Sequence, residues 1–420
     1  MHITILALGS HGDVLPFATL AKGLKTVGHQ IRFVTFENFR EMVGAHGLDF
    51  WPIQGDAQSI LQAGSGLALS ESGQNVIRMW YTVVRAFGGL ARTAARDTSA
   101  LIDHKTDLII NQLPGGLYGY DLAQKLDVPM LMGAVMPLTP TAAFPMIGFP
   151  QKLAPLPGYN RLSYRLAQQM IWQWYRPAIN DWRKSTLGLS KWPISGYFDR
   201  LEQEKIPVLN GFSQHLVPRP SDWGDHIHIT GYWFPEAKDW QPPDELGEFI
   251  QAGPPPVFIG FGSMPVRNPA GVTRIVLEAL KQTGQRGILH TGWAGMGDEN
   301  LPEYVFKIDY AAYEWLFPRM AMVIHHGGSG TTAFGLRAGV PSLIVPFLFD
   351  QFYWGKRIFE LGLGPKSIPF KELTTARLAQ AIMTAMTDGE MRRKTAVVGN
   401  RISQEAGLLQ AVNMISRYKG

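Results

Sequence analysis

The chain contains no cysteine among its 420 residues. Disulfides, thiolate nucleophiles and cysteine metal sites are therefore excluded, and a reducing compartment such as the cytoplasm is expected. Long apolar runs are scarce as well. The most apolar stretch, residues 129–150, is broken by Pro137, Pro140 and Pro145, so it cannot form one membrane-spanning helix. The start, MHITILALGSHGDV, has no basic region and only a short apolar run, which predicts a first strand and not a signal peptide.

Charge is also limited, because only 17% of the residues are charged while 45% are hydrophobic. That balance predicts a globular, soluble chain. The net charge of +5 is spread along the chain without a long basic run. This distribution argues against a nucleic-acid partner and is compatible with loose peripheral contact with the anionic cytoplasmic face of a membrane. An Asp-x-Asp motif for a divalent metal is absent, so no metal site is expected.

A glycine-rich turn near residue 328 carries the clearest functional signal. Its parts, in order, are an apolar strand at 322–324, two histidines, GGSGTT at 327–332, a predicted helix at 333–338, a second strand at 343–345, and Asp350-Gln351. Backbone N–H groups and the dipole at a helix start favour an anion, usually a phosphate. Ser329, Thr331 and Thr332 add hydroxyl donors, and His326 adds a ring donor or a positive charge. The alternative is a turn needed only for close packing.

This turn differs from two common phosphate sites. It lacks the lysine of an ATPase-type P-loop and the G-x-G-x-x-G spacing of a dinucleotide fold. Its late position in the chain indicates a second domain. With Asp350 and Gln351 placed to meet hydroxyl groups, the pattern suggests a nucleoside diphosphate attached to a sugar.

The pattern of apolar residues predicts two α/β domains. The first third alternates strands, such as Gln30–Phe36, with helices, such as Val14–Val27, and the alternation restarts at Val257. Repeated βα units imply parallel sheets with helices on both faces. Between them, residues 136–206 are rich in proline and aromatic residues; these either pack on the sheet or form an apolar pocket for a hydrophobic ligand.

Six segments resemble family 1 glycosyltransferases of the GT-B type, in the branch of the sterol glucosyltransferases and the macrolide and glycopeptide glycosyltransferases. They are GSHGDVLPF at 9–17, SDWGDHIHITGYWF at 221–234, PPPVFIGFGSMP at 254–265, EWLFPRM at 314–320, HHGGSGTT at 325–332 and RAGVPSLIVPFLFDQFYWGKRI at 337–358. The similarity covers both predicted domains and is weakest at about 55–200, where acceptors bind in such enzymes.

The resemblance implies an α/β GT-B fold, with two Rossmann-like parallel-sheet domains facing across a cleft. The predicted parts are an N-terminal acceptor-binding domain at 1–215, an interdomain linker at 216–256, a C-terminal nucleotide-sugar-binding domain at 257–400 and a helix at 401–420 that crosses back. The implied reaction is metal-independent, inverting transfer of glucose or a similar hexose. The donor is UDP-glucose or another NDP-sugar, used as a co-substrate without a further cofactor. A hydrophobic hydroxylated molecule such as a sterol is the expected acceptor, with macrolide, carotenoid and flavonoid acceptors open.

The resemblance also assigns roles to residues of the first turn. It implies that Asp13 is the base that takes the acceptor's proton, with His11 as the competing base. From the residues alone, Asp13 is instead an N-cap of the helix from Val14. If Asp13 is the base, it takes the acceptor's proton. If Asp13 only caps the helix, His11 is the remaining candidate for the base.

The nucleotide sugar is expected to contact residues from several turns. They are Ser10, Gly12, Ser263, Trp293, Ala311, His326, Gly328, Ser329, Gly330, Thr331, Asp350 and Gln351. Ser263 has the alternative of a plain turn hydroxyl, and Trp293 either stacks on the base or packs. In the related enzymes Pro-His-Asp-Trp precedes LFPR, whereas this chain has Ala-Tyr-Glu-Trp at 312–315. Preference between uridine and thymidine is therefore open.

Two other functions remain compatible with the pattern. A nucleotide-sugar epimerase can share the fold and the phosphate loop, but it needs no acceptor pocket of the kind the aromatic 136–206 region offers. A non-catalytic lipid-binding relative would not need Asp13, His326, Asp350 and Gln351.

Overall fold

The computed structural model describes residues 1–56, 92–113, 117–235, 240–262, 264–292, 295–297 and 301–418. The chain forms two compact units. Among the described residues, the first unit holds the chain up to Pro235 and again from Ala406, and the second holds the part between them. The domain limits expected from the sequence remain a proposal beside this division.

The first unit is built on a parallel sheet of seven strands in the order β3-β2-β1-β4-β5-β6-β7. The strands are β1 His2–Leu6, β2 Gln30–Phe36, β3 Asp49–Ile53, β4 Leu108–Gln112, β5 Met130–Ala134, β6 Val208–Asn210 and β7 Ile227–Ile229. The helices up to Gln203 are α1 His11–Thr26, α2 Arg40–Ala45, α3 Gly119–Leu126, α4 Tyr159–Trp182 and α5 Gly196–Gln203; residues 92–99 are also helical. The central strand β4 is buried along its whole length, as expected for a sheet covered on both faces.

The aromatic region of the first unit packs around a buried ion pair. Helix α4 ends in a π-helical turn, Arg183–Leu187, and the Arg183 guanidinium pairs with Asp121 of α3. Trp192 donates its indole N–H to Asp121 Oδ1 at 2.7 Å, and the Arg183 guanidinium lies 4.5 Å from the centre of the Trp192 ring. Burial raises the pKa of Asp121 to about 6, although hydrogen bonds from Trp192 and the charge of Arg183 oppose the rise. Trp172 stacks on Tyr197 nearby, and both are buried. These aromatic residues of the 136–206 region therefore pack in the core of the first unit.

The second unit is built on a parallel sheet of five strands in the order β10-β9-β8-β11-β12. The strands are β8 Val257–Gly260, β9 Gly287–His290, β10 Val305–Ile308, β11 Met322–His325 and β12 Ser342–Ile344. The helices are α6 Asp244–Gln251, α7 Pro269–Thr283, α8 Tyr313–Leu316, α9 Ser329–Arg337, α10 Asp350–Glu360, α11 Thr375–Thr387 and α12 Gly389–Ser403. Because side chains alternate along a strand, Val257 and Ile259 enter one core with α7 and α11 while Phe258 enters the other with α6 and α8.

The last helix, α13 Gly407–Arg417, belongs to the first unit. It packs on α1 where Gly23 leaves room, because a Cβ at Gly23 would lie only 3.0 Å from Val412 Cγ2. A Cβ at Gly407 would lie 2.5 Å from the carbonyl oxygen of Tyr232. A hydrogen bond of 2.9 Å between His29 Nε2 and Ser416 Oγ holds the far end of α13. Among the helices that the structure describes, none has the length and apolar character to cross a membrane.

Candidate functional site

In the first unit, the turn after β1 holds the predicted base. Helix α1 begins at His11, with Ser10 as its N-cap, so Asp13 is the third helical residue and not the cap of a helix starting at Val14. Asp13 Oδ2 accepts hydrogen bonds from the Ser10 backbone N–H and from the Ser10 hydroxyl, both at 2.8 Å. A carboxylate in this position satisfies an otherwise unpaired N–H at the helix start. The N-cap prediction for Asp13 is therefore wrong in position, although the side chain does stabilise the start of the helix.

The carboxylate of Asp13 is crowded against the preceding backbone. A Cβ at Gly9 would lie 2.5 Å from Asp13 Oδ2, so only glycine fits there. Burial raises the pKa of Asp13 above its usual value, and the two Ser10 hydrogen bonds oppose that rise. The carboxylate is thus a stronger base than a solvated aspartate. Burial also lowers the pKa of His11, which favours a neutral ring able to accept a proton. Both candidates for the base therefore persist, and Gly12 lies with them in the first turn of α1.

In the second unit, the glycine-rich turn forms a helix start as expected, but the helix begins earlier. Helix α9 starts at Ser329 and not at Ala333, because Gly328 has the extended backbone of an N-cap and Thr332 N–H already bonds to Gly328 O at 2.9 Å. Ser329, Gly330 and Thr331 thus form the first turn. The first N–H groups of a helix have no carbonyl partner within the helix, and a helix start of this kind favours an anion. Around Gly330, no atom would lie within 4 Å of an added Cβ, so the space beside this turn is open.

The ring of His326 lies between two glycines at this turn. A Cβ at Gly262 would lie 2.8 Å from His326 Cε1, and one at Gly328 would lie 2.5 Å from His326 Nε2. Burial lowers the pKa of His326 to about 4. The ring is therefore neutral at pH 7 in the free protein, which corrects the expectation of a positive charge and leaves that of a ring donor. A bound diphosphate would favour the protonated ring and raise that pKa.

His325, at the end of β11, shapes the turn from beneath. Its side chain is 0% exposed, and its Nδ1 accepts the N–H of Gly327 at 3.1 Å, which places the proton on Nε2. Gly327 has φ +94°, and a Cβ there would lie 2.5 Å from Ile344 Cγ2. Glycine is required at this position both for the backbone conformation and for the close approach of β12.

A third histidine lies in the same sheet edge and was not among the predicted site residues. His290 ends β9, its Nε2 lies 3.0 Å from the Asp309 carbonyl oxygen, and a Cβ at Gly260 would approach its Cβ to 2.9 Å. Gly260 thus makes room for the Cβ of His290, and Gly262 makes room for the imidazole of His326. No local pattern in the sequence could have located His290, because its place beside Gly260 depends on the order of strands in the sheet.

The two residues expected to meet the sugar begin helix α10. Gln351 is 3% exposed, and its Oε1 accepts the N–H groups of Phe347 at 2.8 Å and Leu348 at 3.1 Å. Its amide is therefore already used to shape the loop before α10, and its contact with a sugar stays a prediction. Asp350 is half-buried in the first turn, directly after Phe349, whose φ of +43° is strained for a residue with a side chain. Gly327 brings the phosphate turn to this segment, since a Cβ there would lie 3.2 Å from Gln351 O.

The expected base-binding residue Ala311 follows β10 and is buried, at 4% exposure. Beside it, Tyr313 stacks on Phe317 with ring centres 4.3 Å apart, so the tyrosine that replaces histidine in this motif belongs to the core. Ser263 and Trp293 lie outside the described residues, and their predicted roles stay predictions.

The turns of the second unit share one edge of the sheet, because all its strands are parallel and each turn follows a strand's carboxyl end. Ligands of open α/β sheets bind at this edge. In the part of the chain that the structure describes, no group of three or more His, Cys, Asp or Glu residues could hold a metal ion. The edge offers amide donors, hydroxyls and a neutral imidazole, which suit a diphosphate.

Two α/β units with parallel sheets are typical of the GT-B class of glycosyltransferases. Solved structures of glycosyltransferases match this chain and confirm the GT-B fold predicted from the sequence. The glycotransferase of kitacinnamycin matches with a TM-score of 0.71 over 99% of this chain and 98% of that chain, at 17% identity. The Streptomyces sp. SF2575 glycosyltransferase SsfS6, complexed with thymidine diphosphate, matches with a TM-score of 0.66 over 100% of both chains, at 18% identity.

Family models and curated relatives then narrow the class. The glycosyltransferase family 28 N-terminal domain matches residues 3–102, and the erythromycin biosynthesis protein CIII-like C-terminal domain matches residues 274–406. Sterol 3-beta-glucosyltransferase UGT80B1 of Arabidopsis thaliana is 38% identical over 100% of this chain and 68% of its own length. Sterol 3-beta-glucosyltransferase UGT80A2 of the same plant is 36% identical over 100% of this chain, which spans 66% of that protein's length. The chain belongs to the GT-B glycosyltransferase family that includes the sterol 3-beta-glucosyltransferases.

Proposed function

We propose that this protein transfers glucose, or a similar hexose, from UDP-glucose to a hydroxyl of a hydrophobic small molecule such as a sterol, with inversion at the anomeric carbon. The observation that carries the proposal is the turn at His326–Thr331, where a neutral imidazole and a helix start border open space. The names of the plant relatives support a sterol as acceptor. The cysteine-free chain supports a cytoplasmic location.

The second unit would hold the donor. First-turn amides of α9 and the hydroxyls of Ser329 and Thr331 would bind the diphosphate, with the His326 ring as a further donor. Asp350 and Gln351 would meet the sugar hydroxyls, and the backbone at Ala311 would meet the base. Preference between UDP and TDP is part of the test, because thymidine diphosphate binds the structural relative SsfS6.

The first unit would supply the base. The acceptor oxygen attacks the anomeric carbon as Asp13 takes the hydroxyl proton, and the bond from that carbon to the phosphate oxygen breaks with its electron pair going to the diphosphate. The raised pKa of Asp13 makes proton removal easier as the new bond forms. Donors fixed at the departing diphosphate stabilise the charge that develops on it.

The experiment is a transfer assay read by mass spectrometry. The purified chain is incubated with UDP-glucose or TDP-glucose and a panel of sterol, macrolide, carotenoid and flavonoid alcohols. We expect one hexose to be added to a sterol with UDP-glucose. A parallel incubation with the donor alone distinguishes a transferase from the alternative function, a nucleotide-sugar epimerase. An epimerase would convert the UDP-sugar without an acceptor. Conversion of the donor alone, with no acceptor glycosylated, would overturn the proposal.

A further inference from the structure

Helix α4 carries a row of exposed apolar side chains on one face. Leu162, Leu166, Met170 and Trp174 are 51%, 48%, 37% and 43% exposed. Residues four apart lie on the same face of a helix, so the row extends about 18 Å along α4. The opposite face is anchored in the first unit through Tyr164 and Trp172, both 0% exposed. The row is thus a continuous surface on a firmly held helix, and not a scatter of single exposed residues.

Two loops extend the apolar surface, one before the start of α4 and one beside Gln173. Leu156, 55% exposed, precedes the helix, and the N–H of Tyr159 bonds to its carbonyl oxygen at 3.1 Å. Ile194, 66% exposed, is held beside the helix because Gln173 Nε2 donates to its carbonyl oxygen at 2.6 Å. Both loops are tied to α4 by hydrogen bonds. We call the six residues Leu156, Leu162, Leu166, Met170, Trp174 and Ile194 the α4 face.

The chain segment that carries most of the α4 face has charges of one sign. Residues 128–180 contain no Asp or Glu, and their cations are Lys152, Arg161, Arg165 and Arg176. Arg161 pairs with Asp222 at 2.9 Å. In the described part of the chain, Arg165 and Arg176 form no ion pair, and Arg165 lies directly beside Leu166 on the exposed side of the helix. The surface therefore combines apolar side chains with uncompensated positive charge.

We propose that the α4 face binds the surface of an anionic lipid membrane, with α4 lying in the plane of the interface. Leucine and methionine would enter the boundary between headgroups and acyl chains, and Trp174 would sit at headgroup level, where its ring prefers to lie. Arg165 would keep its guanidinium among the lipid phosphates while its aliphatic stem covers the apolar row. A protein partner fits less well, because Arg165 and Arg176, which form no ion pair in the described part of the chain, suit a surface rich in phosphates.

The test is cosedimentation of the full chain with vesicles, without donor or acceptor. Vesicles of phosphatidylcholine alone are compared with vesicles that contain phosphatidylglycerol at about one lipid in three. We expect strong partition only to the anionic vesicles. Combining Leu166→Ser with Trp174→Ser should reduce it at least tenfold, and Arg165→Gln about fivefold at low salt, with the arginine effect fading at high salt. The matched control is Leu409→Ser, an exposed residue of α13 at 58%, which should leave partition unchanged.

Melting temperature and UDP affinity of each variant exclude misfolding as the cause of lost partition. Equal partition of wild type and the double variant would overturn the proposal, as would failure of the wild type to bind anionic vesicles. A lipid-free dimer that the double variant dissociates would show a second copy as the occupant and would also overturn it. Because no sugar transfer is measured, the outcome is independent of the proposed reaction.

Discussion

Replacement of Asp13 separates its two roles, as a base and as a stabiliser of the start of α1. In Asp13→Asn, a side-chain oxygen can still accept the Ser10 N–H, but no carboxylate remains to take a proton. Loss of a general base typically lowers turnover about 10²–10⁴-fold. We expect that loss in kcat with a nearly unchanged UDP affinity, because the base acts in the transition state and not in donor binding.

The stability of the same variants gives the second part of the prediction. Asp13→Ala removes the acceptor of both Ser10 hydrogen bonds and should lower the free energy of unfolding by about 1 kcal/mol, whereas Asn should cost less. The assay is turnover, UDP titration and melting temperature for Asp13→Asn, Asp13→Ala and His11→Ala. Normal turnover of Asp13→Asn together with an inactive His11→Ala would refute the assignment and make His11 the base. Turnover of the wild type should fall on acidification through the Asp13 pKa, at a pH above that of a solvated aspartate, because burial raises that pKa.

Three further predictions concern the donor site and the fold. His326→Ala should weaken UDP binding by about 1.5–3 kcal/mol, the range for a hydrogen bond to a charged group, while His226→Ala in the first unit leaves the titration unchanged. Transfer should be as fast with EDTA as without it, since the sequence has no Asp-x-Asp pair; activity lost to EDTA and restored by Mg²⁺ would contradict this. Asp121→Asn should lower the free energy of unfolding by about 3–5 kcal/mol in denaturant titrations, because it leaves the Arg183 charge buried without its partner. The control is Glu390→Gln, which removes one partner of the exposed ion pair with Lys394. An equally small change in the free energy of unfolding at both positions would disprove the argument from the buried pair.

Local patterns in the sequence predicted the elements well where burial alone decides them. The strand expected at Gln30–Phe36 is found with those limits, and most of its side chains are buried between the sheet and the elements that cover it. Helix starts were predicted less well, because they depend on hydrogen bonds between side chain and backbone. The first helix begins at His11 since Ser10 and Asp13 act together, and α9 begins at Ser329 since Gly328 is extended.

The site was predictable only where its residues are neighbours in the chain. The turn at His326–Thr331 is continuous, and its helix start was expected from its composition. His290 ends β9, and His326 follows β11; both strands neighbour β8. Their nearness therefore depends on the order of strands in the sheet, which no local pattern reveals. The amide of Gln351 is a similar case, because its hydrogen bonds to Phe347 and Leu348 exist only once the loop has closed.

The position of α13 has a consequence for biosynthesis. The first unit is interrupted, since its last helix is separated from Pro235 by the part of the second unit at 236–405. At about 5–20 residues per second, a ribosome needs roughly ten to thirty seconds to make the intervening chain. Throughout that time, the surface of α1 that later receives Val412 and Leu408 is not yet covered by α13. We therefore expect the emerging polypeptide to be prone to aggregation at this surface. The first unit can be completed only after the whole of α13, Gly407–Arg417, has been made.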